Sequence, residues 1–127
     1  MIRIAKMKKS FGYAVRGLRA VWRNEQNFRL QSIVAILVLI VAGILPVTRI
    51  EFLFLIAACG AVLILELLNT IFEHFTDFFS PRYSDAAHAV KDMMAGAVLL
   101  AAIAAIGIGG IVFFPHIAPL LSLLAMP

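Results

Sequence analysis

The sequence predicts an all-α membrane protein in which an amphipathic surface helix precedes three transmembrane helices. Three observations favour this fold class: 63% of the 127 residues are hydrophobic, only 14% are charged, and the apolar residues gather in three long stretches. A soluble domain of this size is far less apolar. Two of the stretches alone, and the first with its flanking residues, are long enough to cross a hydrocarbon core of about 30 Å.

The first 29 residues carry an amphipathic pattern. Their large apolar residues recur at steps of three and four: Met7, Phe11, Val15, Leu18 and Trp22. Lys9, Arg16 and Arg23 fall on the opposite side of the same helix, so residues 1–29 are predicted to lie in the headgroup plane. A basic tail that only sets topology would leave the apolar stripe unexplained. A cleaved signal peptide is not expected, because this basic region is too long and the chain stays hydrophobic after it.

Three membrane spans are predicted at about residues 30–46, 52–72 and 93–114, and residues 115–127 form a C-terminal tail. Pro46 ends the first span, and the outer loop is short, so the first two spans form an antiparallel hairpin. Ser80-Pro81-Arg82-Tyr83 predicts a turn in the longer second loop. The whole chain, 1–127, is expected to be a single domain.

Basic residues are distributed very unevenly. Eight of the 11 Lys and Arg residues precede the first span, and none follows the third. By the positive-inside rule, the N-terminus and the second loop face the cytoplasm, and the first loop and the C-terminus face outward.

Small residues recur along the third span. Ala97, Ala101 and Ala105 lie four residues apart, a pattern that allows helices to approach closely in lipid. Because three helices alone make a thin bundle, we expect homo-oligomerisation, although the same pattern also serves packing within one chain.

A stripe of acidic and amide residues lies where the second span meets the cytoplasmic loop. Glu66, Asn69, Glu73 and Asp77 follow one another at steps of three, four and four, which places them on one face of a helix. We call these four residues the acidic stripe. Glu66 lies within an apolar run, where an ionisable group is costly unless it has a partner. The alternatives are a solvated helix end for Glu73 and Asp77, and an interhelical hydrogen bond for Asn69.

The carboxylates on the cytoplasmic side indicate which type of reaction the protein carries out. No P-loop or dinucleotide-binding glycine motif is present in the sequence. Carboxylates with few His or Cys are hard ligands that suit Mg²⁺, and neighbouring Lys and Arg residues can hold phosphates. Magnesium-dependent phosphoryl transfer is therefore the first hypothesis. A proton or ion pathway is the competing one, because membrane-embedded Glu residues also mark transporters.

Several motifs together resemble one family. They are the acidic stripe with Thr70, then Ser80-Pro81 with Tyr83, then Lys91-Asp92 with Ala95-Gly96-Ala97-Val98, and upstream Tyr13-Ala14, Gly17-Leu18, Asn24-Glu25 and Phe28-Arg29. In identity, order and spacing they resemble the small prokaryotic diacylglycerol kinase and undecaprenol kinase family. The resemblance covers about Lys6 to Val112.

This resemblance implies an ATP- and Mg²⁺-dependent kinase that phosphorylates a lipid alcohol at the cytoplasmic face of a prokaryotic plasma membrane. It implies a homotrimer with composite active sites, and no nucleic-acid partner is expected. Glu66 would be the general base, Asn69 would orient the base or the phosphate, and Glu25 with Glu73 would hold Mg²⁺. The implied nucleotide-binding residues are Lys6, Tyr13, Glu25, Glu73, Asp77, Lys91 and Asp92. The implied substrate-binding residues are Arg16, Glu66 and Lys91.

The chain departs from the family pattern beside the stripe, at Ile71-Phe72, His74-Phe75 and Arg82, and these differences bear on the choice of lipid rather than on the reaction. The Ser80-Pro81 turn and the Ala95–Val98 run are closer to the undecaprenol kinase branch. Undecaprenol is thus the expected substrate, and diacylglycerol is the alternative.

Overall fold

Four helices form the chain in a computed structural model, which describes residues 3–79 and 85–124. They are α1 (Ile4–Asn24), α2 (Gln26–Ile44), α3 (Arg49–Phe79) and α4 (Asp85–Leu124). No strand occurs within these described ranges. By length and composition, α2, α3 and α4 are each able to cross a membrane. The predicted all-α membrane fold with three spans is confirmed.

The helix ends differ from the predicted boundaries. Residues 26–29 begin the first spanning helix rather than end the surface helix. Both α3 and α4 extend beyond the predicted spans 52–72 and 93–114, because hydropathy marks only the apolar part of a helix that continues into polar sequence. The predicted turn at Ser80-Pro81-Arg82-Tyr83 lies outside the described residues.

The predicted C-terminal tail is helical up to Leu124, and Pro115 and Pro119 lie inside α4. The helix that contains the predicted span 93–114 therefore continues through most of the residues predicted as the tail. A proline removes one backbone donor, whereas ending the helix in an apolar environment leaves many more backbone groups without partners. The helix is therefore the less costly backbone conformation for this segment.

The junction between α1 and α2 is a single extended residue, Glu25, with φ −104° and ψ 114°. Arg29 Nη1 donates hydrogen bonds to the carbonyl oxygens of Trp22 at 3.2 Å and of Arg23 at 2.8 Å. A cation that caps the last carbonyls of a helix also interacts favourably with the helix dipole. Arg29 thereby holds the end of α1 against the start of α2, with Glu25 between them.

Helix α1 buries none of its residues in the single chain. Phe11 is 73% exposed, and Leu18 and Trp22 also lie open on the apolar face of the helix. An apolar face of this kind, opposite a basic one, suits a helix that lies in the membrane surface.

At the other end of the bundle, Thr48 and Glu51 form a capping box at the start of α3. The Glu51 carboxylate accepts hydrogen bonds from Thr48 N at 2.7 Å and Thr48 Oγ1 at 2.8 Å, and Glu51 N donates to Thr48 Oγ1 at 3.3 Å. Capping boxes satisfy backbone donors that a helix start leaves free.

Ala42, Leu55 and Val112 pack together as a buried cluster that joins α2, α3 and α4. Glu51 Oε2 also lies 3.5 Å from His116 Nε2 of α4.

We expect Thr48→Ala to lower the free energy of unfolding by about 1 kcal/mol, because it removes the side chain of the cap. Thermal unfolding in detergent micelles measures the change. Thr76→Ala is the matched control, since Thr76 Oγ1 donates to the Phe72 carbonyl within α3 and caps no helix end. Equal losses of stability in the two variants would contradict the role assigned to the cap.

Candidate functional site

The acidic stripe lies along one continuous helix, as predicted. Burial falls along it: Glu66 is 4% exposed and Asn69 8% exposed, Glu73 is half-buried, and Asp77 is exposed. The stripe therefore runs from the interior of the bundle to the end of α3 that precedes the second loop. It connects a buried carboxyl to an open polar surface.

Glu66 has a partner that sequence analysis missed. Gln31 of α2 donates a hydrogen bond from Nε2 to Glu66 Oε2 at 3.1 Å. The sequence does contain a signal for this pair, because Gln31 and Glu66 are polar side chains within the apolar parts of two adjacent antiparallel spans. The contact supplies the partner that a membrane-embedded carboxylate requires.

Asn69 is joined to the next member of the stripe. Its Nδ2 donates to Glu73 Oε1 at 3.1 Å. Ionised carboxylates only accept hydrogen bonds, so the amide nitrogens of Asn69 and Gln31 face them and the amide oxygens point elsewhere. Asn69 Oδ1 and Gln31 Oε1 are buried, and neither has a hydrogen-bond partner among the described residues. The surroundings of Glu66 thus offer acceptors for a donor such as a hydroxyl group.

Two further carboxylates lie near Glu66. Glu25, from the α1–α2 junction, and Glu73 are both close enough to interact with it electrostatically. In the part of the chain that the structure describes, neither of the two forms an ion pair with a Lys or Arg side chain. A cation is the natural partner for such a group of carboxylates.

A metal site built from protein side chains alone does not occur among the described residues. Within the described residues, no group of three or more His, Cys, Asp and Glu side chains is arranged to hold a metal ion. Mg²⁺ usually takes only one or two protein carboxylates and completes its shell with water and phosphate oxygens. Glu25 and Glu73 fit that requirement in number and in chemistry.

Lys91 of α4 meets the exposed end of the stripe. Its Nζ forms an ion pair with Asp77 Oδ1, with the Lys91 side chain 24% exposed and the Asp77 side chain 59% exposed. The ion pair links α4 to α3 at the edge of the site. Asp92, the next residue of α4, is exposed.

The predicted site residues of α1 form no hydrogen bond or ion pair with the stripe in the part of the chain that the structure describes. Lys6, Tyr13 and Arg16 are exposed. The Arg16 guanidinium lies 4.7 Å from the centroid of the Tyr13 ring, a cation–π contact within α1. Among the described residues, neither basic side chain forms an ion pair with a carboxylate of the stripe.

An apolar groove of about 350 Å³ runs between α2, α3 and α4. Its lining extends from Leu30 and Gln31 past Ala58 and Ala105 to Phe113, and Gln31 is its principal polar side chain. The groove therefore leads along the bundle to the hydrogen bond between Gln31 and Glu66. Its small, apolar lining suits a hydrocarbon chain.

Comparison with known proteins places this arrangement among membrane enzymes. The family model of prokaryotic diacylglycerol kinase matches residues 12–113. A Synechocystis diacylglycerol kinase is 40% identical over 91% of this chain and 65% of its own length, so the chain spans just under two thirds of that relative. A Bacillus subtilis undecaprenol kinase is 36% identical over 86% of this chain and 89% of its own. An Escherichia coli diacylglycerol kinase is 35% identical over 85% of this chain and 88% of its own.

Proposed function

Because the chain belongs to the prokaryotic diacylglycerol kinase family, a family of lipid kinases, we propose that it transfers the γ-phosphate of ATP to a membrane lipid alcohol at the cytoplasmic face. One observation carries this proposal. Buried Glu66 lies beside an apolar groove and at the inner end of a stripe that opens to the polar surface. A lipid chain and a charged nucleotide can therefore reach the same carboxyl from opposite sides.

Glu66 is the general base. The hydroxyl of the lipid gives its proton to the Glu66 carboxylate as the oxygen attacks the γ-phosphorus. A positioned base of this kind contributes about 10²- to 10⁴-fold to a rate. Asn69, one turn along α3, orients the base or the phosphate through its amide donor Nδ2, which donates to Glu73 Oε1 in the single chain.

Glu25 and Glu73 would hold Mg²⁺, whose positive charge neutralises the phosphates of the nucleotide when bound. The closeness of both carboxylates to Glu66 supports that assignment. Phosphoryl transfer depends mainly on positioning and charge neutralisation, so a Walker loop is not required.

The remaining nucleotide- and substrate-binding residues lie at the exposed end of the stripe or on the surface helix. Lys91 and Asp92 contact the nucleotide, Lys91 also contacts the lipid headgroup, and Asp77 supports Lys91 through the ion pair. Lys6 and Tyr13 bind the nucleotide and Arg16 binds the substrate from the surface helix. Within the described residues of one chain they form no hydrogen bond or ion pair with the stripe, which supports a composite site in which a neighbouring subunit supplies them.

A homotrimer fits these features. Lys6, Tyr13 and Arg16 are exposed and, among the described residues, make no ion pair with the acidic stripe, which favours an oligomer in which a neighbouring subunit supplies them. Ala97, Ala101 and Ala105 are already half-buried in the single chain, so the small-residue pattern of α4 serves packing within the subunit. The protein lies in the plasma membrane of a prokaryote, with its N-terminus in the cytoplasm and its C-terminus outside.

Undecaprenol is the proposed substrate, and diacylglycerol is the alternative, as the names of the relatives include both lipids. A groove of about 350 Å³ takes the part of a single chain that adjoins the hydroxyl. A prenyl alcohol presents one such chain, whereas diacylglycerol presents two.

The test is a phosphorylation assay with purified protein in micelles, radiolabelled ATP, and undecaprenol or diacylglycerol offered side by side. We expect labelled lipid in both reactions, with at least about tenfold higher kcat/KM for undecaprenol, a difference of about 1.4 kcal/mol. A higher value for diacylglycerol would reverse the proposed preference. Absence of labelled lipid, together with Glu66-dependent proton flux in liposomes, would replace the kinase with a proton pathway.

A further inference from the structure

Gln31 is the one described residue whose side chain hydrogen-bonds to the proposed base from another helix. We propose that Gln31 is a positioning residue, which holds the Glu66 carboxyl in its reactive orientation both before and after that carboxyl takes the proton. The inference rests on the proposed function, because it assumes that Glu66 is the base.

The geometry leaves one oxygen of Glu66 for the substrate. Gln31 engages Oε2 at 3.1 Å, and Oε1 receives no hydrogen bond from any other residue that the structure describes. A carboxyl held at one oxygen has a fixed orientation and a free acceptor. The lipid hydroxyl can therefore donate to Oε1 without displacing the contact that positions the base.

The apolar groove explains why an amide performs this task. Gln31 belongs to the lining of the groove, where the neighbouring side chains are apolar. Water is a poor partner for Glu66 there, and burying a carboxylate without a hydrogen bond is costly. The amide supplies that bond without introducing a second charge.

An amide can also serve both protonation states of the carboxyl. In the reaction, the O–H bond of the lipid breaks and its proton passes to Glu66. The lipid oxygen forms a bond to the γ-phosphorus, and the bond from that phosphorus to the bridging oxygen breaks, with its electron pair leaving on ADP. The lipid proton arrives on Oε1, so Oε2 can still accept from Gln31 Nε2. When the carboxyl turns and brings that proton toward Gln31, Glu66 has a hydrogen to donate there and needs an acceptor.

Gln31 Oε1 is that acceptor, because it is buried and has no partner among the described residues. The last torsion of a glutamine side chain is broad and roughly two-fold, so the amide can turn over at low cost. Turned over, it accepts from protonated Glu66 with Oε1. An ionised carboxylate can only accept and an ammonium can only donate, so neither matches both states.

The experiment compares Gln31→Leu with Gln31→Glu in the micellar kinase assay, with kcat and both KM values measured from about pH 5.5 to about pH 8.5, a range that brackets the usual working pH of a general base. Gln26→Leu is the matched control, because Gln26 is exposed at the start of the same helix. We expect Gln31→Leu to lower kcat at neutral pH at least about tenfold, since a hydrogen bond to a charged group is lost. The KM for ATP should stay unchanged.

The pH profile separates positioning from a structural role. In the plot of kcat against pH, Gln31→Leu should shift the rise on the acidic side, the acidic limb, to a pH about one unit higher, because the ionised base has lost its hydrogen-bond donor. Gln31→Glu should move it at least as far, because two neighbouring carboxyls cannot both ionise easily. If Gln31→Leu does not fold, Gln31→Glu alone carries the test.

An unchanged acidic limb in a folded Gln31 variant, with lower thermal stability alone, would overturn the inference. Failure of the proposed function gives a different result: the wild-type protein makes no labelled lipid, or Glu66→Gln remains active. Wild-type turnover that depends on Glu66 but not on Gln31 would reject only the positioning role.

Discussion

Glu66→Gln is expected to abolish lipid phosphorylation while the four helices remain folded. The amide cannot take a proton from the lipid hydroxyl, and loss of a general base lowers a rate about 10²- to 10⁴-fold. Folding should persist, because the new side chain has the size of the original one and keeps an oxygen that accepts from Gln31 Nε2. The measurement is kcat for labelled lipid at saturating ATP and Mg²⁺, with far-ultraviolet circular dichroism as the check on folding.

Glu51→Gln is the matched control for that experiment. Glu51 lies at the opposite end of α3, where it caps the helix, and an amide oxygen can still accept from Thr48. Its kcat should stay within about twofold of the wild-type value. Near-normal activity in Glu66→Gln would remove Glu66 from the mechanism, whatever the control shows.

Glu73→Gln is expected to raise the Mg²⁺ concentration needed for half-maximal activity at least about tenfold. The substitution removes one of the two carboxylates proposed to hold the ion, and Mg²⁺ binds an amide oxygen more weakly than a charged one. The hydrogen bond from Asn69 Nδ2 can persist, because the new side chain retains an acceptor oxygen. A titration of activity with Mg²⁺ at fixed, saturating ATP measures the change.

Asp85→Asn is the control in the same titration, since Asp85 is an exposed carboxylate at the start of α4. Its Mg²⁺ dependence should match that of the wild-type protein. An unchanged requirement in Glu73→Gln would support the alternative in which Glu73 belongs to a solvated helix end. Glu25→Gln provides an independent second measurement, because Glu25 comes from the α1–α2 junction rather than from α3.

The composition and periodicity of the chain were sufficient to predict most of the fold. Three apolar stretches and one amphipathic segment correspond to α2, α3, α4 and α1. The helix ends were harder to predict, because α3 and α4 continue through polar sequence and α4 continues through Pro115 and Pro119. Hydropathy measures how favourably side chains transfer into lipid. A helix continues wherever its backbone hydrogen bonds are more stable than those of other backbone conformations.

The acidic stripe was also predictable, since its members lie on one helix at local spacings. Residues three and four positions apart share a face in any α-helix, so no knowledge of tertiary structure is needed. The burial that the structure shows, decreasing from Glu66 to Asp77, agrees with the position of Glu66 within an apolar run that ends before Asp77.

The sequence by itself determined the membrane fold, the number of spans and the single face that carries Glu66, Asn69, Glu73 and Asp77, because each depends on composition or on contacts within one helix. Only the tertiary structure decided that Gln31 meets Glu66, that Lys91 meets Asp77 and that Glu25 lies near Glu66. These contacts join different parts of the bundle. Their geometry depends on how α2, α3 and α4 rotate and pack, which local periodicity does not specify.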